Sequence, residues 1–187
     1  MKPKTTTLQN AVLSMTRSHF AFVGLYMLSI IIFDSWNLIA HEGIVWRWQA
    51  ASALLILNAI CWYMARTTFS SRQVYKLTAF ALIVADAIFA SMNVYWQRGM
   101  ASPLVILFAV PIVAAAVLHS RRAIWAAASV SVAAYSYTAV RYFHLHYGEG
   151  LKVELYGHVI LFCGIFYILA LFLTIIIKPQ VTSQKSK

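Results

Sequence analysis

Apolar residues recur along this chain in six long runs, at about residues 18–40, 47–65, 74–96, 102–119, 122–143 and 153–177, separated by short polar or charged stretches. Each run approaches the roughly 20 residues that a helix rising about 1.5 Å per residue needs to cross a hydrocarbon core. The pattern predicts an all-α fold, a polytopic membrane bundle of six transmembrane helices over residues 18–177. Residues 1–17 form a cytoplasmic N-terminal segment. Within it Leu8, Val12 and Met15 recur at helical spacing, so residues 5–17 read either as a short amphipathic helix on the membrane surface or as a disordered tail. Residues 178–187, polar after Pro179, read as a cytoplasmic tail.

Composition agrees, because 61 % of the 187 residues are hydrophobic and 11 % charged, more apolar surface than one soluble core of this size can bury. Charge then orients the bundle. Eleven Lys and Arg residues (Lys2, Lys4, Arg17, Arg66, Arg72, Lys76, Arg121, Arg122, Lys178, Lys185 and Lys187) fall on one side of the six spans. Four (Arg47, Arg98, Arg141 and Lys152) fall on the other. The positive-inside rule places the richer side, and both termini, in the cytoplasm. Trp36, Trp46, Trp48 and Trp96 near the outer ends, and Trp62, Tyr63, Tyr75 and Trp125 near the inner ends, form the two interfacial belts expected of such a protein. The net charge of +10 is therefore a topology signal matched by anionic lipid, with no basic stripe of the kind that binds nucleic acid. The first run continues to full spanning length without a small-x-small cleavage site, so it reads as an uncleaved span.

Soluble-enzyme signatures are missing: there is no phosphate-binding glycine loop, no His-Glu-x-x-His and no Gly-x-Ser-x-Gly. His144 and His146 alternate, and of the roughly four donors a structural metal site needs only Glu149, Glu154 and His158 lie near them in sequence, a weak pattern. Histidines at matched depth for haem are also lacking, since His19 near the inner end of span one cannot meet His158 in the outer half of span six. No metal and no cofactor is expected from the residues themselves. Cys61 and Cys163, one in each of two spans, read as small packing residues.

Polar groups within the spans carry the functional interest, because an ionisable side chain at mid-depth is costly unless neutral, paired or hydrated. Asp86 lies near the middle of span three and shares a helix face with Asn93, two turns on. Asn58 is near mid-depth in span two, while Asp34, Asn37 and His158 sit in outer halves. These groups imply either an inward polar pocket open to the outside or interhelical hydrogen-bonding contacts. In span four, Ser102 reads as an N-cap and Pro103 as a first-turn residue, whereas Pro111 is interior, where it breaks a backbone hydrogen bond and supplies a hinge. Ala114–Ala116 face the Ala- and Ser-rich fifth span, predicting a close hairpin turned at His119, Ser120, Arg121 and Arg122.

One stretch carries a resemblance. Asp86, Asn93-Val94-Tyr95 and Gly99-Met100-Ala101-Ser102-Pro103, then an apolar span holding Pro111, Arg121-Arg122 and a Ser/Ala-rich helix, resemble the six-helix N-terminal sensor module of membrane histidine kinases of the redox-sensing RegB and pilus-regulating PilS type. The likeness covers about residues 17–178, with Arg98-Gly99 where the family has a Gly-Gly pair. It implies a signal-input module of the bacterial inner membrane, a ligand-binding set of Asp86, Asn93, Arg98, Gly99, Ser102 and Pro103, and quinone as a ligand near Gly99, Ser102 and Pro103. It also implies a cytoplasmic histidine kinase domain as partner, in cis or in trans, and a homodimer. About ten residues follow Ile177, too few for a kinase domain, so this chain is expected to have no enzymatic activity of its own. It reads as the sensor portion of a longer protein or a free-standing relative. Two other classes fit the same residues: a small transporter or channel component using Asp34 and Asp86, and an accessory subunit of a membrane complex.

Overall fold

A computed structural model describes residues 5–36, 41–97, 102–147 and 153–177, with no strand among them. The helices are α1 (Thr5–Ser35), α2 (His41–Arg66), α3 (Arg72–Trp96), α4 (Val110–Ala116), α5 (Arg121–Tyr147) and α6 (Val153–Ile176), with a 3-10 helix, Pro103–Ala109, leading into α4. Five of them, α1, α2, α3, α5 and α6, are long and apolar enough to cross a membrane. Among the described residues the fold is all-helical, with the long apolar helices of a membrane protein.

α1 is a single helix of 31 residues, with no break near residue 17. The stretch read as a surface helix or a disordered tail is instead its first three turns, in which Val12, Met15 and Thr16 are fully buried. The Gln9 amide donates to the Ala65 carbonyl near the end of α2 (3.0 Å), and Asn58 Nδ2 of α2 donates to the Thr16 carbonyl (3.1 Å). The apolar stripe that suggested a surface helix is therefore packed against protein.

The expected fourth helix over 102–119, kinked at Pro111, is also different. Ser102 caps it, accepting from the Leu104 N–H at 3.1 Å with Pro103 in the first turn, but the first seven residues are wound as a 3-10 helix and only Val110–Ala116 are α-helical. Pro111 has no N–H to give to the Leu107 carbonyl, which accepts from Val110 three residues on instead. Rising about 2.0 Å per residue in its 3-10 half, the segment reaches about 24 Å, longer than 14 residues of α-helix. That reach is used. Tyr95 packs its ring against Tyr142 (5.8 Å) and His146 (6.1 Å), so the C-terminal ends of α3 and α5 lie together and the chain between them returns from one end of the bundle to the other. His119 closes the turn into α5 with a positive φ of 49°, and Ser120 Oγ accepts from Ala123 N–H at 3.4 Å. Ala115, Ala127, Ala128 and Ser131 are fully buried where α4 meets α5, so small side chains do bring these two backbones close.

At the other end of α3, Ser71 caps the helix, and the Tyr75 hydroxyl accepts from Phe69 N–H (2.9 Å) while donating to the Thr67 carbonyl (3.0 Å). One side chain thereby fixes the α2–α3 turn. α6 contributes Phe166 to a cluster with Phe108 and Tyr135 and otherwise shows an apolar outer face.

Candidate functional site

The polar residues of the bundle centre on a seam between α1 and α3. Buried positions in α1 recur at 12, 15, 19 and 26, and in α3 at 79, 82, 86, 89 and 93, with half-buried Phe22 completing the first series. Both series alternate steps of three and four, the spacing that keeps one stripe of each helix facing a neighbour. The two series are joined at a constant separation of 67 residues. His19 Nε2 lies 2.6 Å from Asp86 Oδ2, Phe22 meets Phe89 edge-on at 6.1 Å, and the Tyr26 hydroxyl donates to Asn93 Oδ1. α1 and α3 are therefore parallel, with two polar rungs about 10 Å apart and an aromatic layer between them.

The lower rung defines its own proton content. His19 Nδ1 lies 2.9 Å from the Met15 carbonyl, which only accepts, so Nδ1 carries a hydrogen. The short contact between Nε2 and Oδ2 then holds one further proton, on the ring or on the carboxyl group. In either placement the pair has zero net charge. This neutrality is what admits Asp86, 2 % exposed, and His19, 2 % exposed, to an apolar interior. Among the described residues Asp86 Oδ1 has no hydrogen-bond partner, nor has Asn58 Oδ1, whose Nδ2 donates to the Thr16 carbonyl of α1. Cys61, one turn on from Asn58, is also buried. The junction of α1, α2 and α3 thus contains two buried acceptor oxygens free to take a proton donor. In the upper rung both polar atoms of Asn93 have a partner, because its Nδ2 donates to the Phe89 carbonyl at 2.9 Å.

The other residues singled out in the sequence fall elsewhere. Ser102 lies near the C-terminal end of α3, where its hydroxyl donates to the Gln97 side chain (3.2 Å), and exposed Pro103 follows it. Arg98, Gly99 and Asn37 lie outside the described residues. Asp34 is exposed at the end of α1, His158 is half-buried early in α6, and Pro111 is buried at the 3-10 to α junction. Asp86 and Asn93 are thus brought together with α1, whereas Ser102 and Pro103 belong to a separate end of α3. No group of three or more metal-ligating side chains occurs among the described residues.

Sequence reasoning missed His19 and Tyr26. A signal was present in the matched three-four spacing of the two helices. It was obscured because Arg17 marked the expected start of span one, which put His19 near the membrane surface rather than level with Asp86.

Around the far end of the bundle, Trp46 and Trp96 stack at 5.1 Å, and Arg141 lies 5.9 Å from the rings of both Tyr95 and Tyr137. A groove of about 420 Å³ runs along α5 past Ser136, Tyr137, Val140, Arg141 and His144. It is lined by α5, away from the α1–α3 seam.

Comparison of the chain with protein families, with curated proteins and with solved structures finds no match.

Proposed function

We propose that this chain is a signal-input module of the cell inner membrane, crossing it six times with both termini cytoplasmic. In this reading a small or lipophilic ligand, or the state of the bilayer, changes how α1 sits against α3, and a cytoplasmic histidine kinase partner reads the displacement. The observation that carries the reading is the His19–Asp86 contact. It ties two parallel membrane helices through a single shared proton and leaves one carboxylate oxygen unpartnered. A stimulus acts on such an element only by favouring one packing over the other, and a two-rung seam offers discrete alternatives in which its polar groups are paired or broken. Quinone remains the ligand class suggested by the likeness of residues 86–103 to redox-sensing modules, with Ser102 and Pro103 as its described contacts. The fourth crossing is supplied by the 3-10 and α segment over residues 103–116, which agrees with the returned chain direction between α3 and α5.

The test is a chimera in which a histidine kinase core of known activity follows Ile177. Asp86→Asn and Tyr26→Phe are expected to shift autophosphorylation, while Leu25→Ala, at a position 68 % exposed, leaves it unchanged. Equal effects at all three positions would remove the seam from the mechanism. Proton uptake into vesicles that depends on Asp86, with no change in kinase output, would replace this reading with a proton-coupled transporter.

A further inference from the structure

The seam also fixes the depth of every residue on α1, and one of them is out of place. With His19 level with Asp86 and Tyr26 level with Asn93, residue 17 is level with residue 84, the midpoint of α3. α2 sets it nearer one end, because Gln9 meets Ala65 and Thr16 meets Asn58, so residue 17 is level with residue 57, nine residues from Arg66 and sixteen from His41. Arg17 is therefore about 12–14 Å from the level of the nearer basic groups, Lys76 of α3 and Arg66 of α2, roughly twice what an arginine side chain of about 7 Å can span. Sliding the bundle until Arg17 met the surface would leave only residues 84–96 of α3, about 20 Å, inside the hydrocarbon.

Arg17 is nonetheless exposed on the outside of the bundle and, among the described residues, makes no ion pair or hydrogen bond. It is not isolated. Asn10, Ser14 and Ser18 are exposed beside it, at the spacing of one helix face. Above this patch the same side of α1 becomes apolar, with Leu25 and Leu28 exposed. A guanidinium keeps its charge at any accessible pH, and lipid tails offer it no counter-charge. Such a face is stable when protein covers it.

The occupant is constrained by charge. Asp86 is paired to His19, Asp34 lies at the end of α1, Glu42 and Glu154 lie in the first turns of α2 and α6, and Glu149 is outside the described residues. A second copy therefore brings no carboxylate to mid-depth, and a two-fold contact along this stripe would set Arg17 against Arg17. We propose that Asn10, Ser14, Arg17 and Ser18 form the docking face for a membrane helix of a different protein, one that presents an aspartate or glutamate at mid-bilayer to Arg17. The short serines let that helix approach closely, and Asn10 supplies a further hydrogen bond. This proposal rests on helix register and charge, not on the signalling reading.

The experiment co-reconstitutes the full chain in phosphatidylcholine vesicles with labelled polyleucine transmembrane peptides whose central residue is Asp or Leu, and reads association by energy transfer. The Asp peptide is expected to bind on the order of a hundredfold more tightly than the Leu peptide, the factor equivalent to the insertion cost of one central arginine. Arg17→Leu, an apolar change on an exposed face, is expected to abolish that preference. Equal binding of the two peptides, or a preference that survives in Arg17→Leu, would overturn the proposal. So would self-association of the chain that is lost in Arg17→Leu, since the occupant would then be a second copy. A spin label at Ser18→Cys provides a measurement on the otherwise unaltered chain. Mid-bilayer depth is expected, and a reading at the headgroups would remove the premise.

Discussion

Tyr26 and Asn93 are separated by the same 67 residues as His19 and Asp86, so the two rungs report a single register between parallel, non-consecutive helices. α2 lies between them in sequence and touches α1 near the lower rung through Asn58. The register sets the depth of Asp86, of Arg17 and of the orphaned oxygens together.

If one proton is shared between His19 and Asp86, the substitutions at Asp86 are unequal. Asp86→Asn is expected to change stability in micelles by less than about 0.5 kcal/mol, because the amide donates to a neutral Nε2. Asp86→Leu and His19→Leu are each expected to lower it by about 1–2 kcal/mol, and the double variant to recover about 1 kcal/mol of the summed loss. Thermal or SDS-induced unfolding gives the cycle, and strict additivity would show that the two side chains do not interact.

Tyr26→Phe removes the donor to Asn93 Oδ1 in a site where Asn93 is 4 % exposed. A loss of about 1 kcal/mol is expected, with no compensating water access. Tyr63→Phe, at a position 67 % exposed, is the control and is expected to be neutral in the same unfolding measurement.

Pro111→Ala restores an N–H that the Leu107 carbonyl can accept in α-helical geometry. Residues 104–109 are then expected to convert from 3-10 to α winding, shortening the segment by about 3 Å. The 13Cα chemical shifts of Leu104–Ala109 measure the conversion. Unchanged shifts would mean that packing by buried Val105, Leu107 and Phe108, rather than the proline, dictates the 3-10 form.

A crossing by residues 103–116 has a direct consequence for labelling. Cysteines introduced at Ser71 and Ser120 are expected to react with an impermeant maleimide from the same side of the membrane, and one at Gln97 from the opposite side. Reaction of all three from one side would exclude the six-crossing topology.

Residues along the chain were enough to determine an all-helical membrane bundle, because apolar runs of spanning length have no other stable form in lipid. They also located the cap at Ser102, the break at Pro111 and the small-residue contact of α4 with α5, all of which depend on neighbours close in sequence or on one helix face. The need to neutralise Asp86 was equally legible, but its partner was not. Hydropathy contains no information on the register between helices 67 residues apart, and a basic residue read as a boundary marker placed Arg17 at the surface and moved His19 with it. Only the packed structure decided that α1 begins at Thr5 and lies alongside α3, since that register is set by side chains interlocking across helices rather than by any local preference. The same packing put His19 beside Asp86 and left Arg17 exposed, level with the middle of α3.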